Sequence, residues 1–277
     1  MYLDYWGLKK KPFENTPNPD FFFYSAGHEE ALTRLLYGVK ERKGAVMITG
    51  DIGAGKTLLS RMLVRILSRE EKNYNIAVIV NPALTVDDLL RELIYQFGGL
   101  ESLPQATSKL DLLHRLEDIV FESNEKSRYC VLIIDEAHVI KDEAIFEEIR
   151  LLLNFQKNDA FLVTIVLLGQ PELAQRIKQH EPLAQRIAIR YNLSGLSREE
   201  VGRYVDYRLK AAGSNREIFN VSTIELIYRA SNGIPRIINN VCDLSLLMGF
   251  SSQVELVSDA IVKAVAEDLR LAARYVK

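Results

Sequence analysis

The chain has 277 residues, of which 48% are hydrophobic and 26% are charged, a composition typical of a soluble globular protein and too apolar for a disordered one. Its 35 lysines and arginines nearly balance its 37 aspartates and glutamates. This balance excludes a polycationic binder of nucleic acids or membranes, although it leaves room for a local basic patch. Two cysteines, Cys130 and Cys242, are too few for a disulfide framework or a cysteine-rich zinc site, and they fit a reducing cytoplasmic compartment.

No targeting segment or membrane span is predicted. The N-terminus lacks a basic region followed by an apolar stretch. The longest apolar run, residues 161–168, is interrupted by Thr164 and is far shorter than the ~20 residues that cross a bilayer. We therefore expect a soluble chain.

The first 43 residues are predicted to form an irregular, aromatic-rich lead followed by a helix. Pro12, Pro17 and Pro19 exclude a regular helix in the lead, because proline removes a backbone donor and clashes with the preceding turn. Ser25 is a suitable N-cap for a helix that continues to about Arg42.

Residues 44–194 are predicted to form an α/β domain with a parallel sheet. Short apolar runs predict strands at 45–49, 76–80, 131–134, 161–168 and 187–193. Amphipathic segments predict helices at 56–69, 85–97, 108–123 and 142–156, and a short helix from Pro171. Strands that alternate with helices of this length indicate βαβ units. Their continuous apolar character indicates a sheet that is covered on both faces.

Residues 195–277 are predicted to form a small, all-helical second domain. Helical periodicity covers 197–212, 222–231, 235–249 and 257–275, and the segments between them contain Gly213, Gly233 and the pair Ser251 and Ser252. The three predicted regions are therefore 1–43, 44–194 and 195–277.

The most specific motif joins the first predicted strand to the helix that follows it. It matches G-x-x-x-x-G-K-[ST], the phosphate-binding loop, and consists of Gly50, Asp51, Ile52, Gly53, Ala54, Gly55, Lys56 and Thr57. The glycines let several backbone N–H groups point at phosphate oxygens, and the helix N-terminus adds its positive dipole end. Lys56 is expected to reach the β- and γ-phosphates of a nucleotide, and Thr57 to ligate Mg²⁺. Leu58 completes the predicted nucleotide-binding set.

A second motif follows the predicted strand 131–134, where Asp135 and Glu136 come directly after a buried apolar run. This is the Walker B pattern, in which Asp135 holds Mg²⁺ and Glu136 orients and deprotonates the attacking water. Residues 135–138 also spell the DEAH string of one helicase class, but those helicases need two motor domains. We therefore expect His138 to be a capping or packing residue. His28, His114 and His180 are isolated and show no metal-ligand spacing.

The order of phosphate loop, Walker B pair and helical tail resembles that of AAA+ ATPases, and further motifs resemble the general secretion pathway protein A (ExeA-like) family. Close relatives in that family serve MSHA-type pilus assembly and exopolysaccharide export. The motifs are residues 5–8, 12–13, 17 and 20–24 of the lead, 169–173, 185–187 and 233–236. This resemblance implies a P-loop sheet flanked by helices and a C-terminal all-helical lid domain.

The resemblance also implies roles for residues outside the two motifs. Gln170, after the fourth strand, corresponds to the sensor-1 residue, which contacts the γ-phosphate or the lytic water; many AAA+ proteins have Asn or Thr there. Arg236 resembles the sensor-2 arginine, which reaches the nucleotide within its own subunit. Asn81, after the second strand, corresponds to a polar residue that can restrain the catalytic glutamate.

The resemblance further implies an arginine finger, a residue that enters a neighbouring subunit's site and stabilises the transferred phosphoryl group. Arg186 lies where the family places it, before the last strand, and Arg176 and Arg190 are the alternatives nearby. The aromatic residues Trp6, Phe13, Phe21, Phe22 and Phe23 are expected either to line an adenine pocket or to pack against the edge of the sheet.

The function implied is a Mg²⁺-dependent ATPase that forms a homo-oligomer with ATP and rearranges a cell-envelope secretion or pilus assembly from the cytoplasmic side. Larger relatives carry a transmembrane segment and a periplasmic part, so this chain is expected to be a short relative or an excised cytoplasmic domain. Two alternatives stay open. One is a DNA-associated ATPase of the transposition-helper type, which the near-neutral charge disfavours. The other is a nucleotide-gated scaffold with little turnover.

Overall fold

The computed structural model describes residues 2–70, 74–102 and 108–275. The α-helices within these ranges are α1 (Tyr2–Trp6), α2 (Ala26–Lys40), α3 (Lys56–Arg69), α4 (Val86–Gly98), α5 (Lys109–Glu125), α6 (Glu143–Leu152), α7 (Pro171–Gln179), α8 (Glu181–Ala184), α9 (Arg198–Ala211), α10 (Val221–Ser231), α11 (Pro235–Ser251) and α12 (Asp259–Tyr275). The strands are β1 (Ala45–Gly50), β2 (Tyr74–Ile79), β3 (Tyr129–Ile134), β4 (Gln156–Lys157), β5 (Ala160–Phe161), β6 (Val163–Gly169) and β7 (Ile187–Leu193).

The chain separates into two compact units by its contacts. One unit contains residues Glu29–Gly50 and the described residues from Lys56 to Leu193; we call it the sheet unit. The other contains the described residues up to His28, the loop Asp51–Gly55, and the described residues from Ser194 onward; we call it the helical unit. The domain boundaries drawn from the sequence stay predictions, since the contacts group the lead with the helical unit.

The sheet unit is built on a parallel sheet with the strand order β2-β3-β6-β1-β7, so the predicted fold class is confirmed. The interior strands β1, β3 and β6 are buried along their whole length, as strands covered by helices on both faces must be. The edge strand β7 alternates buried and exposed residues along its length. The core contains side chains from β1, β3 and β6 together with α4, α5 and α6, and Cys130 is fully buried in it.

The sequence prediction fails between α6 and β6. The helix predicted over 142–156 ends at Leu152, and β4 and β5 form a short antiparallel hairpin that pairs Gln156 with Phe161. Asn158 and Asp159 have φ values of 51° and 60°, the left-handed pair that a two-residue hairpin turn requires. The predicted fourth strand therefore begins at Val163 rather than at Phe161.

The helical unit has a core formed by α9 to α12 and the aromatic lead. Trp6 is fully buried in it, and its indole Nε1 donates to the carbonyl of Leu246 at 2.9 Å. Phe13 and Phe21 belong to the same core, and Arg208 donates to the carbonyls of Pro12 and Glu14. Trp6, Phe13 and Phe21 therefore belong to the core of the helical unit.

The lead also contains an unpredicted helix, α1, whose five residues are too few to show helical periodicity. None of the helices in the described ranges is both long enough and apolar enough to cross a membrane.

Candidate functional site

Three neighbouring strands of the sheet end at the same edge, and each is followed by a residue singled out in the sequence. Ile134 of β3 pairs with Leu167 of β6, and Ile48 of β1 pairs with Leu168. Asp135, directly after β3, therefore lies level with Ile48, two residues before the end of β1. Since β6 separates the two strands, their axes are about 10 Å apart. The carboxyl edge of a parallel sheet is where ligands bind in open α/β folds.

The loop Asp51–Gly55 needs glycine at two positions for two separate reasons. Gly53 and Gly55 have φ values of 81° and 107°, which strain any residue that carries a Cβ. Neighbouring side chains also leave no room for a larger residue at either position. A Cβ at Gly53 would lie 2.5 Å from the Cβ of Arg236, and a Cβ at Gly55 would lie 2.7 Å from Nε2 of His28. Within the loop, the Ala54 N–H donates to the carbonyl of Asp51 at 3.2 Å.

Helix α3 begins at Lys56, directly after the loop. The Lys56 side chain is buried, and its Nζ donates to the carbonyl of Gly50 at 2.7 Å, so the ammonium group stays at the start of the loop. Thr57 and Leu58 are half-buried in the first turn. The first N–H groups of a helix have no partners within the helix and favour an anion. The geometry of α3 is therefore compatible with phosphate binding.

His28 supports the loop from within the helical unit. Its Nε2 donates to the carbonyl of Ala54 at 2.9 Å, and the hydroxyl of Ser25 donates to its Nδ1 at 2.7 Å, an arrangement that keeps the ring in one neutral tautomer. Burial lowers the pKa of His28, and the hydrogen bond to Ala54 and the nearby Glu200 carboxylate oppose that shift only in part. This histidine shows no metal-ligand spacing in the sequence, and no local pattern indicates its contact with Ala54, which is 26 residues away.

Arg236 also lies at the loop, and its expected role at the nucleotide stays a prediction. It is in the first turn of α11, after Pro235, and its backbone N–H donates to the carbonyl of Gly53 at 3.3 Å. Its side chain is exposed.

Asp135 is a buried carboxylate without a counter-ion in the described part of the chain. It is 2% exposed, and the hydrogen bond to its side chain comes from the backbone N–H of Glu136 at 2.9 Å. Burying a carboxylate is costly unless a cation or several donors compensate it. With the Thr57 hydroxyl, it offers the oxygen ligands that Mg²⁺ prefers. The residues present therefore fit a divalent cation.

Glu136 has an unusual backbone conformation, with φ 51° and ψ 35°. A residue other than glycine held in this left-handed region costs about 1–3 kcal/mol, and such residues cluster at active sites. The carboxylate is 42% exposed, and its Oε2 lies 3.3 Å from Nδ1 of His138. Glu136 is thus accessible to water, whereas the adjacent Asp135 is not.

His138 contacts Gln170 as well as Glu136. Its Nε2 accepts from the side-chain amide of Gln170 at 2.7 Å. The expectation that His138 caps or packs is therefore incomplete, because its ring makes polar contacts with both neighbouring candidate residues. Arg176 donates to the backbone carbonyls of His138 and Ile140 and pairs with Glu143. It is therefore engaged within its own chain.

Other predicted residues are not brought to this cluster. Asn81 is exposed, and its Oδ1 accepts from the Ala83 N–H at 3.3 Å, whereas the contact to Glu136 comes from His138. Arg190 donates to the carbonyl of Ala184. Among the residues that the structure describes, none forms a hydrogen bond or ion pair with the half-buried side chain of Arg186.

Known proteins similar to this chain include members of a described family and a named relative. A family model described as "AAA domain" matches residues 39–177, which is half of the chain. The chain is 39% identical over 254 residues to General secretion pathway protein A of Aeromonas hydrophila. The match covers 91% of this chain and 45% of that protein, so the chain spans less than half the length of the relative.

Solved structures share the fold at low sequence identity. Cdc6p from Pyrobaculum aerophilum has a TM-score of 0.68 at 16% identity, with 87% of this chain and 66% of that chain covered. The ORC2 protein of Aeropyrum pernix, solved as ADPNP-ADP complexes, has a TM-score of 0.66 at 17% identity over 94% of this chain and 71% of its own. The Holliday junction branch migration motor RuvB of Thermotoga maritima has a TM-score of 0.60 at 18% identity, with coverages of 97% and 74%. At these identities the likeness shows the fold alone.

Proposed function

The chain belongs to the AAA domain family of AAA+ proteins, and from this premise we propose that it binds ATP together with Mg²⁺ and hydrolyses it. The observation that carries the proposal is the buried Asp135 carboxylate, which lies at the carboxyl edge of the sheet, level with Ile48 of β1. A carboxylate buried without a counter-ion among the described residues needs a cation. Thr57 and Asp135 would hold the metal, which supplies charge neutralisation for the phosphoryl oxygens.

Each of the other residues has a proposed part. The N–H groups of residues 50–58, together with Lys56, bind the phosphates. Glu136 accepts the proton of the attacking water, since its carboxylate is exposed beside the buried Asp135. Gln170 contacts the γ-phosphate or that water. Arg236 contributes from the first turn of α11, and Arg186 acts on a neighbouring subunit's nucleotide.

We further propose that the chain forms a homo-oligomer with ATP and acts on a cell-envelope secretion or pilus-assembly machine. This step rests on the similarity to General secretion pathway protein A of Aeromonas hydrophila. Since ATP is supplied in the cytoplasm, we propose that the described residues function there.

The test is phosphate release by the purified chain with ATP and Mg²⁺, for the wild type and for Glu136→Gln. We expect kcat to fall at least about 100-fold in the variant, the scale of general-base catalysis, while ATP still binds. Glu122→Gln is the matched control, because this exposed glutamate of α5 pairs with Lys126 across one helical turn. Removal of Mg²⁺ with a chelator should abolish turnover.

The same assay separates the alternatives. Strong stimulation by double-stranded DNA, weakened by salt, would favour a DNA-associated ATPase. Tight ATP binding without turnover in the wild type would favour a nucleotide-gated scaffold. Near-normal turnover in Glu136→Gln would remove Glu136 as the base.

A further inference from the structure

The imidazole ring of His138 lies between two side chains that are separated by 34 positions in the sequence. Nδ1 faces the Glu136 carboxylate at 3.3 Å, and Nε2 faces the Gln170 side-chain amide at 2.7 Å. The ring is 15% exposed, whereas the Glu136 side chain that it contacts is 42% exposed. Each ring nitrogen therefore contacts a residue, Glu136 or Gln170, that has a proposed part in ATP hydrolysis.

The position of the proton on the neutral His138 ring follows from which neighbouring groups can donate a hydrogen bond. The Gln170 amide nitrogen donates to Nε2, so a neutral ring carries its proton at Nδ1. The Glu136 Oε2, at 3.3 Å, and the backbone nitrogen of Gln170, at 3.4 Å, both lie near Nδ1, and both distances are longer than a usual hydrogen bond. Of these two groups only the carboxylate can accept, so a proton at Nδ1 orients the Glu136 side chain.

The Glu136 carboxylate has no other side-chain partner among the described residues. Its backbone is fixed, because the Val139 N–H donates to the Glu136 carbonyl at 2.8 Å and Arg176 donates to two carbonyls of the same turn. The side chain itself is 42% exposed. Its direction therefore depends on the ring of His138.

We propose that His138 is a positioning residue that ties the Glu136 carboxylate to the side chain of Gln170. This inference rests on the proposed function, in which Glu136 is the base and Gln170 contacts the γ-phosphate or the attacking water. Through the ring, the direction of the base depends on where the Gln170 amide is held. Turnover then requires both the contact of His138 with Glu136 and its contact with Gln170, whereas ATP binding requires neither.

The experiment compares wild type, His138→Ala, Gln170→Ala and the double variant by kcat, KM, ATP affinity and thermal unfolding. For His138→Ala we expect kcat to fall about 100-fold, the scale of a small misplacement of a catalytic group, with ATP affinity and Tm unchanged. Gln170→Ala should cost much less in the His138→Ala background than in the wild type, because the two residues act through one another. Independent roles would make the two losses multiply, and this would overturn the proposal.

Conservative variants test the two ring nitrogens separately. His138→Asn puts an amide nitrogen close to the position of Nδ1, so it should recover part of the lost kcat. His138→Leu fills the space without a donor and should not. Equal activity of the Asn and Leu variants would show that the ring only fills volume. His114→Ala, at an exposed position on α5, is the matched control for the loss of a histidine and should behave as the wild type.

The outcomes distinguish this inference from the function on which it rests. If the wild type turns over and Glu136→Gln does not, but His138→Ala has normal kcat, the inference fails alone. If the wild type has no turnover with ATP and Mg²⁺, the proposed function fails and the inference fails with it.

Discussion

The two units of the chain are organised by interactions of very different range along the sequence. In the sheet unit, Asp135 and Gln170 directly follow strands and Lys56 begins the helix that comes after β1, so these residues could be predicted from local motifs. In the helical unit, the contacts join the two ends of the chain: Trp6 donates to a carbonyl 240 positions away. Functional residues at strand ends can therefore be predicted from the local sequence, whereas the contacts that assemble a helical core cannot.

The two units also differ in what surrounds their polar groups. The sheet unit keeps Glu136 partly exposed, where water can reach it. In the helical unit, the neutral ring of His28 is buried and held by hydrogen bonds between Ser25 and Ala54. We therefore expect substitutions at the strand ends of the sheet unit to act mainly on binding and turnover, and substitutions in the core of the helical unit to act mainly on stability.

The largest expected effect is the loss of ATP binding in Lys56→Ala. The buried ammonium group lies at the start of the loop, and no nearby residue of the first turn of α3 could replace its charge. Isothermal titration with ATP and Mg²⁺ measures the result. Lys178→Ala, an exposed lysine on α7, is the control, and unchanged ATP affinity in Lys56→Ala would contradict the assignment of the loop.

The next effect is expected for Arg186→Ala, with a fall in kcat of about 1,000-fold if the residue acts as an arginine finger. The decisive measurement mixes this variant with Glu136→Gln. A finger acting between subunits restores activity in the mixture, because a site with an intact Glu136 can receive Arg186 from its neighbour. If two inactive variants stay inactive when mixed under conditions where subunits exchange, the role between subunits is wrong.

In the helical unit, Trp6→Ala should lower the free energy of unfolding by about 3 kcal/mol, as for other large-to-small changes in a core. The change also leaves the Leu246 carbonyl without its donor. Denaturant unfolding followed by circular dichroism measures the loss. Tyr24→Ala, at a residue that is 56% exposed, should change little, and equal effects of the two variants would contradict burial of the lead.

The smallest effect is a pH dependence from His28. Burial lowers its pKa below the ordinary value, so the unfolded chain binds more protons than the folded chain in that range. The stability contributed by neutral His28 is therefore present above about pH 6.5 and is lost as the pH falls through the lowered pKa, at about 1.4 kcal/mol per unit of pKa difference. Unfolding measured from pH 5 to 7.5 should show a smaller slope for His28→Gln; an equal slope would contradict the buried neutral ring.

The sequence predicted most of the sheet unit because continuous apolar runs identify interior strands. It extended α6 too far, because the apolar periodicity continues through Phe155 while the left-handed pair Asn158 and Asp159 starts a hairpin. It also underestimated His138. The partner Gln170 is 32 positions away, and only the pairing of β3 with β6 brings the two together. No local pattern contains that information.

The proposed metal site can be tested by replacing Mg²⁺ with Fe²⁺ in the presence of ATP and using ascorbate and peroxide to cleave the backbone next to the metal. We expect two cuts, one near Thr57 and one near Asp135, which require ATP and are suppressed by excess Mg²⁺. Cuts at other positions alone, or cuts that do not depend on ATP, would contradict the assignment of a nucleotide-bound metal to these two residues.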